Sequence, residues 1–267
     1  MLIGPRKINR LDGTPKALFF GGSKGGWWDF SDPASLRSDA GGTQIADGVG
    51  IYTALDKSGN GNHVIQATAG NRPNWNKAGY ADFVSASSRY LFRTDDMGFS
   101  PGGELSPEWS IFVWLAAPTI GTSQYCCSFG QNVDTDPAIA LSSNSTTAST
   151  LSMFIRDDGG VNSHALTVAL QTNSFVSAGQ MVGVTVGGPE TGARVQPWLN
   201  TTRGTVAALS NYSGVHTLNR FTLGALVRST VTNYLNAAMY QALVINRALR
   251  QGEVTALYGD WIKRVAQ

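Results

Sequence analysis

The sequence contains, between Trp28 and Trp75, the stretch Asp56-Lys57-Ser58-Gly59-Asn60-Gly61-Asn62-His63. Its short polar side chains can hydrogen-bond to their own backbone, and its two glycines accept positive φ angles. Such a combination is typical of a tight turn and not of a helix or a strand interior. The stretch therefore predicts a rigid, structured loop that fixes the path of the chain around it.

Short apolar runs follow this loop, and residues typical of turns separate them. They predict strands at residues 109–115, 125–129, 151–155, 164–170, 181–186, 195–199, 221–226 and 239–245. Many short strands at fairly even spacing indicate an all-β protein with two antiparallel sheets packed as a sandwich, and not alternating βαβ units. The composition agrees, because 31 of the 267 residues are glycine and only 14% are charged.

Two helices are predicted outside these strands. Asp32 followed by Pro33 is typical of a helix start, so a short helix through Leu36 is expected. Near the end of the chain, apolar residues recur at steps of three and four and predict an amphipathic helix over residues 250–267, packed on the sandwich or on a neighbour. Its apolar stripe comprises Val254, Leu257, Tyr258, Trp261, Ile262 and Val265.

Two separated groups of residues resemble the laminin-G-like, concanavalin A-like jelly-roll domains found in tailed-phage virion proteins. The first group flanks the opening loop: Trp28–Pro33 precede it, and residues 66–68 and 71–73 follow it. The second group is Leu243–Leu249 with Glu253, Leu257 and Tyr258. The resemblance implies one jelly-roll sandwich over residues 27–249, with a buried Trp114 on its central strand, and a structural protein of the virion that is not an enzyme.

Residues 1–26 precede the resemblance and are predicted to form an anchoring arm. The run 16–20 predicts a strand that pairs either with a neighbouring sheet edge or with the chain's own domain. Contacts with other virion proteins, or between copies in a homo-oligomer, are expected at both ends of the chain. The residues predicted to make them are Arg6, Lys7, Arg10, Leu18, Phe19, Phe20, Trp261 and Ile262.

The net charge of +2 and the lack of a long basic run argue against nucleic acid as a partner. No apolar stretch is long enough to span a bilayer, and Met1–Pro5 lack the apolar core of a signal peptide, so assembly in the host cytoplasm into a virion is expected. The adjacent Cys126 and Cys127 are not expected to form a disulfide, because neighbouring strand residues point to opposite faces.

Catalysis is not predicted from the acidic residues. Glucanases with this fold need two opposed carboxylates, and the nearest pattern is Glu104-Leu105-Ser106-Pro107-Glu108, in which Pro107 removes a strand hydrogen bond. The three histidines lack zinc-ligand spacing. A diverged glycoside hydrolase is therefore the most remote alternative.

Calcium is the one ion for which candidate ligands can be named. Asp56, Ser58 and Asn60 followed by Gly61 resemble the first half of an oxygen-ligand loop, although Ala67 stands where a bidentate glutamate is expected. The alternative interpretation is that these side chains bond their own turn.

Glycan binding is predicted at Trp28, Trp75, Tyr80, Asn74 and Asn76, because aromatic faces and amides suit pyranose rings. The competing interpretation is that the two tryptophans pin the loops to the core. The leading functional hypothesis is a tail-associated virion protein that displays the sandwich to host surface polysaccharide. Capsid decoration or a head fibre, and a free-standing lectin, are the alternatives.

Overall fold

The structure is a computed structural model that describes residues 14–99, 108–116, 123–131, 138–143, 150–156, 162–169, 179–187, 194–208 and 218–265. Within these ranges the chain forms short strands, four 3₁₀ helices and one α-helix. The strands are β1 (Gly25–Asp29), β2 (Leu36–Arg37), β3 (Thr53–Ala54), β4 (Val64–Ile65), β5 (Asn74–Asn76), β6 (Tyr80–Phe83), β7 (Leu91–Arg93), β8 (Trp109–Ala116), β9 (Tyr125–Gly130), β10 (Ala138–Ser143), β11 (Thr150–Arg156), β12 (Asn162–Ala169), β13 (Gln180–Val186), β14 (Arg194–Leu199), β15 (Thr202–Arg203), β16 (Ala207–Ala208), β17 (Arg220–Leu223), β18 (Leu226–Val227), β19 (Val231–Thr232) and β20 (Ala237–Ile245). The 3₁₀ helices are Pro15–Phe19, Pro33–Ser35, Ala69–Asn71 and Ser85–Ser87, and the α-helix is α1 (Gln251–Val265).

Two large antiparallel sheets form a sandwich, as the sequence predicts. Sheet 1 has the order β15-β14-β13-β8-β20-β6-β5, with β1 also paired to β20 and β16 to β14. Sheet 2 has the order β12-β11-β10-β9-β17-β7-β4-β3-β2. A small hairpin of β18 and β19 makes a separate two-stranded sheet. All eight predicted strand regions contain strand, and β13 and β14 pair antiparallel with Val182 opposite Leu199.

The central strands of sheet 1 are buried on both faces, and β8 shows how the sequence allows this. Alternate residues of a strand point to opposite faces, so an unbroken apolar run can fill two layers. In β8 one set packs in the core between the sheets and the other set in a cluster on the outer face: Trp109, Ile111, Val113 and Leu115 lie in the core, and Phe112 and Trp114 in the outer cluster.

Helix α1 covers the outer face of sheet 1. Val254, Leu257 and Trp261 are buried there, and Tyr258 stacks on Trp114 with ring centroids 5.7 Å apart. The helix therefore packs on its own sandwich. At its start, the Glu253 carboxylate accepts a hydrogen bond from the Arg250 backbone amide at 2.9 Å, so half of a capping box forms without a serine or threonine.

The predicted strand at residues 16–20 is wrong. Pro15 stands at the start of a 3₁₀ helix, Pro15–Phe19, which buries Leu18 and Phe19 in the same outer cluster as α1. Proline's fixed φ suits a first helical position and removes a strand donor. Gly21 and Gly22, both at positive φ, then turn the chain back towards β1, which takes the place beside β20.

Cys126 and Cys127 do not form a disulfide, as predicted. Their side chains do not point to opposite faces of the sheet, however, as the prediction had expected of neighbouring strand residues. The register between β9 and β10 shifts so that Cys127 lies opposite Leu141 and Tyr125 opposite Ser142. Cys126 is therefore the extra residue of a β-bulge, and both side chains reach the core. Burial raises the pKa of Cys127 to about 12 and raises that of Cys126 as well.

Among the described residues, no helix is both long and apolar enough to cross a membrane.

Candidate functional site

The loop from Asp56 to His63 is organised around one buried carboxylate. Asp56 Oδ1 accepts from the Trp27 and Ser58 amides at 2.9 and 2.8 Å, and Oδ2 accepts from the Ser58 hydroxyl and the Asn62 amide at 2.7 and 2.9 Å. The Asn62 side chain donates to the Gly25 carbonyl at 2.7 Å. The loop is thus fixed to β1, and its rigidity agrees with the sequence prediction.

The same contacts do not fit a calcium ion. Both Asp56 oxygens accept two hydrogen bonds each, so the lone pairs that calcium needs are already engaged. Ser58 Oγ accepts from the Asn60 amide, and the Asn60 side-chain nitrogen donates to two carbonyl oxygens. Asp56 and Ser58 therefore bond mainly their own turn, whereas the Asn60 side chain bonds the Ser23 and Gly25 carbonyls at the start of β1. The described residues contain no cluster of three His, Cys, Asp or Glu side chains suited to a metal.

A second buried carboxylate, Asp29 on β1, joins this loop to α1. Its side chain is 0% exposed, and Oδ2 lies 3.1 Å from both Lys57 Nζ and Arg264 Nη1. Both cations also lie over the Trp27 ring, at 4.9 and 5.3 Å from its centroid. Lys57 further pairs with Asp32 at 2.7 Å. Partial burial opposes ionisation of Asp32, but the hydrogen bond and charge of Lys57 outweigh it and lower the pKa of this carboxyl.

The residues predicted to bind glycan do not form one surface. Trp28 is fully buried, stacks on Phe221 at 5.2 Å and donates Nε1–H to the Asn62 carbonyl, so it belongs to the core and the prediction for it is wrong. Trp75 is 8% exposed and donates Nε1–H to the Phe30 carbonyl at 2.9 Å. Both tryptophans pin loops to the core, as the competing interpretation holds.

The other three predicted glycan residues lie on the hairpin of β5 and β6. Asn76 is paired with Tyr80, and Asn74 lies two residues away on the same face, whereas Trp75 points to the opposite face. The Tyr80 ring packs edge-on against Tyr240 at 5.5 Å, outside sheet 1. This face is half-buried and partly used in packing, and the structure does not join it to the two tryptophans.

The predicted assembly residues divide into three groups. Arg6, Lys7 and Arg10 lie outside the described residues. Leu18, Phe19 and Trp261 are buried within the chain itself, because the 3₁₀ helix and α1 pack together on sheet 1. Phe20 and Ile262 remain on the surface, 71% and 42% exposed.

A different region has the shape and chemistry of a ligand site. It is an open groove of about 510 Å³ on sheet 2, beside the ends of β4 and β7. Ligand sites commonly combine an apolar wall with a few converging polar groups in this size range. We refer to it as the Tyr90 groove, and its lining consists of His63, Ile65, Gln66, Ala67, Thr68, Tyr90, Phe92, Arg93, Thr94 and Asp95.

Strand register builds the apolar wall of the Tyr90 groove. Ile65 of β4 pairs with Phe92 of β7, so both side chains lie on the same outer face, while Leu91 points into the core. Ile65 is 41% exposed and Phe92 is half-buried. Tyr90 extends the wall, and its ring packs against Tyr234 at 5.9 Å. The groove therefore presents the exposed Ile65 and the half-buried Phe92 beside the Tyr90 ring, which Tyr234 holds in place.

The polar side of the groove is held in place by hydrogen bonds. Gln66 accepts from the Thr68 amide at 3.0 Å and donates to the Tyr90 carbonyl at 3.3 Å, so it ties the two sides together. His63 Nδ1 accepts from the Asp56 amide at 3.0 Å, which places the ring proton on Nε2. The rigid loop from Asp56 to His63 thus positions the Nε2–H donor of His63 at the groove.

One ion pair closes the end of the groove. Arg93 forms a bidentate contact with Asp95, with distances of 2.5 and 2.6 Å, and Asp95 is 49% exposed. Arg93 Nη1 also donates to the His63 carbonyl at 3.1 Å. Asp95 is the one carboxylate in the groove lining, whereas glycosidases use a facing pair of carboxyl groups. Of the acids considered for catalysis, Glu104 lies outside the described residues.

Sequence reasoning missed most of this groove. Ile65, Phe92 and Gln66 carry no signal of their own in the sequence. The available signal was the short Leu91-Phe92-Arg93 run, in which a large aromatic residue alternates with a buried leucine. It could not be used without knowing that β4 lies beside β7.

No protein-family model matches the sequence, and no curated protein matches it. Among solved structures, the chain is similar to botulinum neurotoxin type C, with 10% identity and a TM-score of 0.56. The match covers 85% of this chain and 51% of that one, and cell entry of that toxin is described as dependent on interaction with two ganglioside molecules. A mutant NanB sialidase from Streptococcus pneumoniae is 10% identical with a TM-score of 0.52, over 66% and 27%. Ruminococcus gnavus IT-sialidase CBM40 bound to α2,3-sialyllactose is 16% identical with a TM-score of 0.46, over 57% and 83%. At these identities the likeness to the neurotoxin and to the NanB sialidase concerns the fold alone: the chain is a β-sandwich similar to parts of these two proteins.

Proposed function

We propose that this protein is a non-catalytic β-sandwich that binds a carbohydrate in the Tyr90 groove, and that it serves as a structural component of a tailed-phage virion, at the tail. The Tyr90 groove supports the carbohydrate-binding part of this proposal. Its apolar wall can pack against the C–H face of a pyranose ring, while His63 and Asp95 in the lining can bond hydroxyl groups, and the buried Gln66 holds the two sides of the groove together. The ganglioside interaction named for the botulinum neurotoxin of similar fold supports glycan binding as such. Gangliosides are acidic, whereas the one cation that lines the Tyr90 groove, Arg93, is already paired with Asp95.

The groove is largely ready for a ligand before one arrives. Its aromatic ring, its amide and its imidazole are each held by an existing contact, so little side-chain freedom remains to be lost on binding. The single carboxylate in its lining supports binding in preference to hydrolysis.

Replacing Phe92 by alanine should weaken glycan binding about tenfold or more, because it removes the aromatic face while leaving the Gln66 contacts intact. Ile65→Ser should also weaken binding, and it disturbs the fold less because Ile65 is already 41% exposed. Binding is measured on a glycan array and then by calorimetric titration, with thermal melting to confirm folding. Phe20→Ala is the matched control, since Phe20 is an exposed phenylalanine on the opposite side of the sandwich. Unchanged affinity in both groove variants would refute the assignment of the site.

The virion half of the proposal rests on the resemblance of two sequence segments to phage jelly-roll domains. It includes other virion proteins, further copies of this chain and a host surface polysaccharide as partners, and no cofactor. Antibody-gold labelling and imaging of intact particles should locate the protein at the tail. Labelling over the head would favour capsid decoration or a head fibre instead. If the protein binds glycan but is absent from intact particles, the free-standing lectin becomes the favoured function.

A further inference from the structure

We infer that the Tyr90 groove selects neutral oligosaccharides and discriminates against acidic sugars. The inference rests on the proposed function, because it specifies the class of glycan that the same site accepts. The inference follows from two observations. Arg93, the one arginine or lysine in the groove lining, is already hydrogen-bonded within the protein, and the carboxylate of Asp95 is left facing the ligand.

Arg93 has almost no donor left for a ligand carboxylate. Its Nε and Nη2 both bind Asp95, and its Nη1 donates to the carbonyl oxygens of His63 and Gly61 at 3.1 and 3.5 Å. Recognition of a sugar carboxylate ordinarily uses the free two-pronged face of a guanidinium. In this structure that face is occupied by Asp95.

Asp95 is instead the accessible charge of the groove. Its side chain is 49% exposed, whereas that of Arg93 is 23% exposed. Two isolated carboxylates about 4 Å apart in water repel each other by the equivalent of about a fivefold loss of affinity, and this is an upper bound here because Arg93 partly offsets the charge of Asp95. The adjoining cleft adds Lys24 and Asp96, whose charges are opposite and equal. These two described surfaces therefore have no excess of positive charge, and Asp95 is the more exposed member of the ion pair that a ligand carboxylate would meet.

The remaining groups suit sugar hydroxyls. A carboxylate accepts hydrogen bonds from hydroxyl groups more strongly than a neutral acceptor does. His63 Nε2–H is a donor, and Ile65, Tyr90 and Phe92 supply the apolar face. The groove thus combines an anionic acceptor, a neutral donor and a hydrophobic wall, which together fit an uncharged, hydroxyl-rich ring.

The test is a glycan array that pairs neutral oligosaccharides with their sialylated and uronate-containing counterparts, followed by titration of the full chain with the tightest neutral glycan and its acidic counterpart. We expect the acidic counterpart to bind more weakly, by up to about fivefold. We also expect the neutral affinity to change less than about twofold between low and high salt, because no charge pair forms.

Asp95→Asn should remove the discrimination, since it deletes the exposed charge and releases the Arg93 guanidinium. The acidic glycan should then bind at least as tightly as the neutral one. Asp82→Asn is the control: Asp82 is 47% exposed and also paired with an arginine, Arg89, through a single contact of 3.3 Å, but it lies on sheet 1. Salt-sensitive preference of the unmodified protein for acidic glycans would overturn this inference and leave the proposed function standing. Failure of every array glycan to bind would overturn both.

Discussion

Replacing Trp28 by alanine should lower the free energy of unfolding by about 3–5 kcal/mol, a large part of the stability of a typical domain. The ring is fully buried, stacks on Phe221 with centroids 5.2 Å apart and donates a hydrogen bond to the Asn62 carbonyl. Its removal would leave a cavity between the sheets and an unpaired carbonyl in the loop that positions His63. Chemical denaturation monitored by circular dichroism measures the effect.

The control for this change is Phe20→Ala. Phe20 is 71% exposed, and its replacement should alter the unfolding free energy by no more than about 0.5 kcal/mol. If Trp28→Ala kept normal stability but abolished glycan binding, the tryptophan would be a ligand contact and its burial in the core would be wrong.

Gly25→Ala should destabilise the protein by about 3 kcal/mol or more. Gly25 begins β1 at φ +116°, a conformation that side-chain-bearing residues rarely adopt, and an added Cβ would lie 2.0 Å from the Val244 carbonyl oxygen. The clash separates β1 from β20 at the point where the Gly25 carbonyl also accepts from Asn60 and Asn62. Thermal and denaturant unfolding should both report the loss, and amide exchange should show β1 opening first.

Gly252→Ala is the control for this change, and it should raise the stability in the same unfolding assays. Gly252 lies in α1 with open space around it, so alanine should stabilise the helix by up to about 1 kcal/mol. A Gly25→Ala variant as stable as the unmodified protein would show that β1 does not approach β20 this closely.

The sandwich itself was predictable because local patterns encode it. Runs such as 109–115 and 239–245 contain enough apolar residues to form strands buried on both faces, and turn residues separate them. The helix α1 was predictable for the same reason, since its apolar stripe has helical period. Local chemistry failed at Pro15–Phe19, where an apolar run suggested a strand but the proline at its start favoured a 3₁₀ helix.

The site was much less predictable, because it depends on contacts between distant segments. Trp28 and Phe92 are both aromatic residues next to polar neighbours, and nothing local shows that one is buried and the other borders a groove. Pairing of Ile65 with Phe92 across β4 and β7 decides the matter, together with the packing of Tyr90 on Tyr234. The more distant of these contacts joins residues that lie 144 positions apart in the sequence, Tyr90 and Tyr234.

The amino-acid sequence by itself determined the turns, the strands and the amphipathic helix, because each follows from the preferences of adjacent residues and from the period of the apolar positions. Tertiary structure alone decided that Asp56 would hold its loop and not an ion, that Arg93 would be neutralised by Asp95, and that Phe92 would face outwards. The physical reason is that a side chain's exposure and its free hydrogen-bonding capacity are set by whatever packs against it, and in this fold those partners come from distant strands and loops.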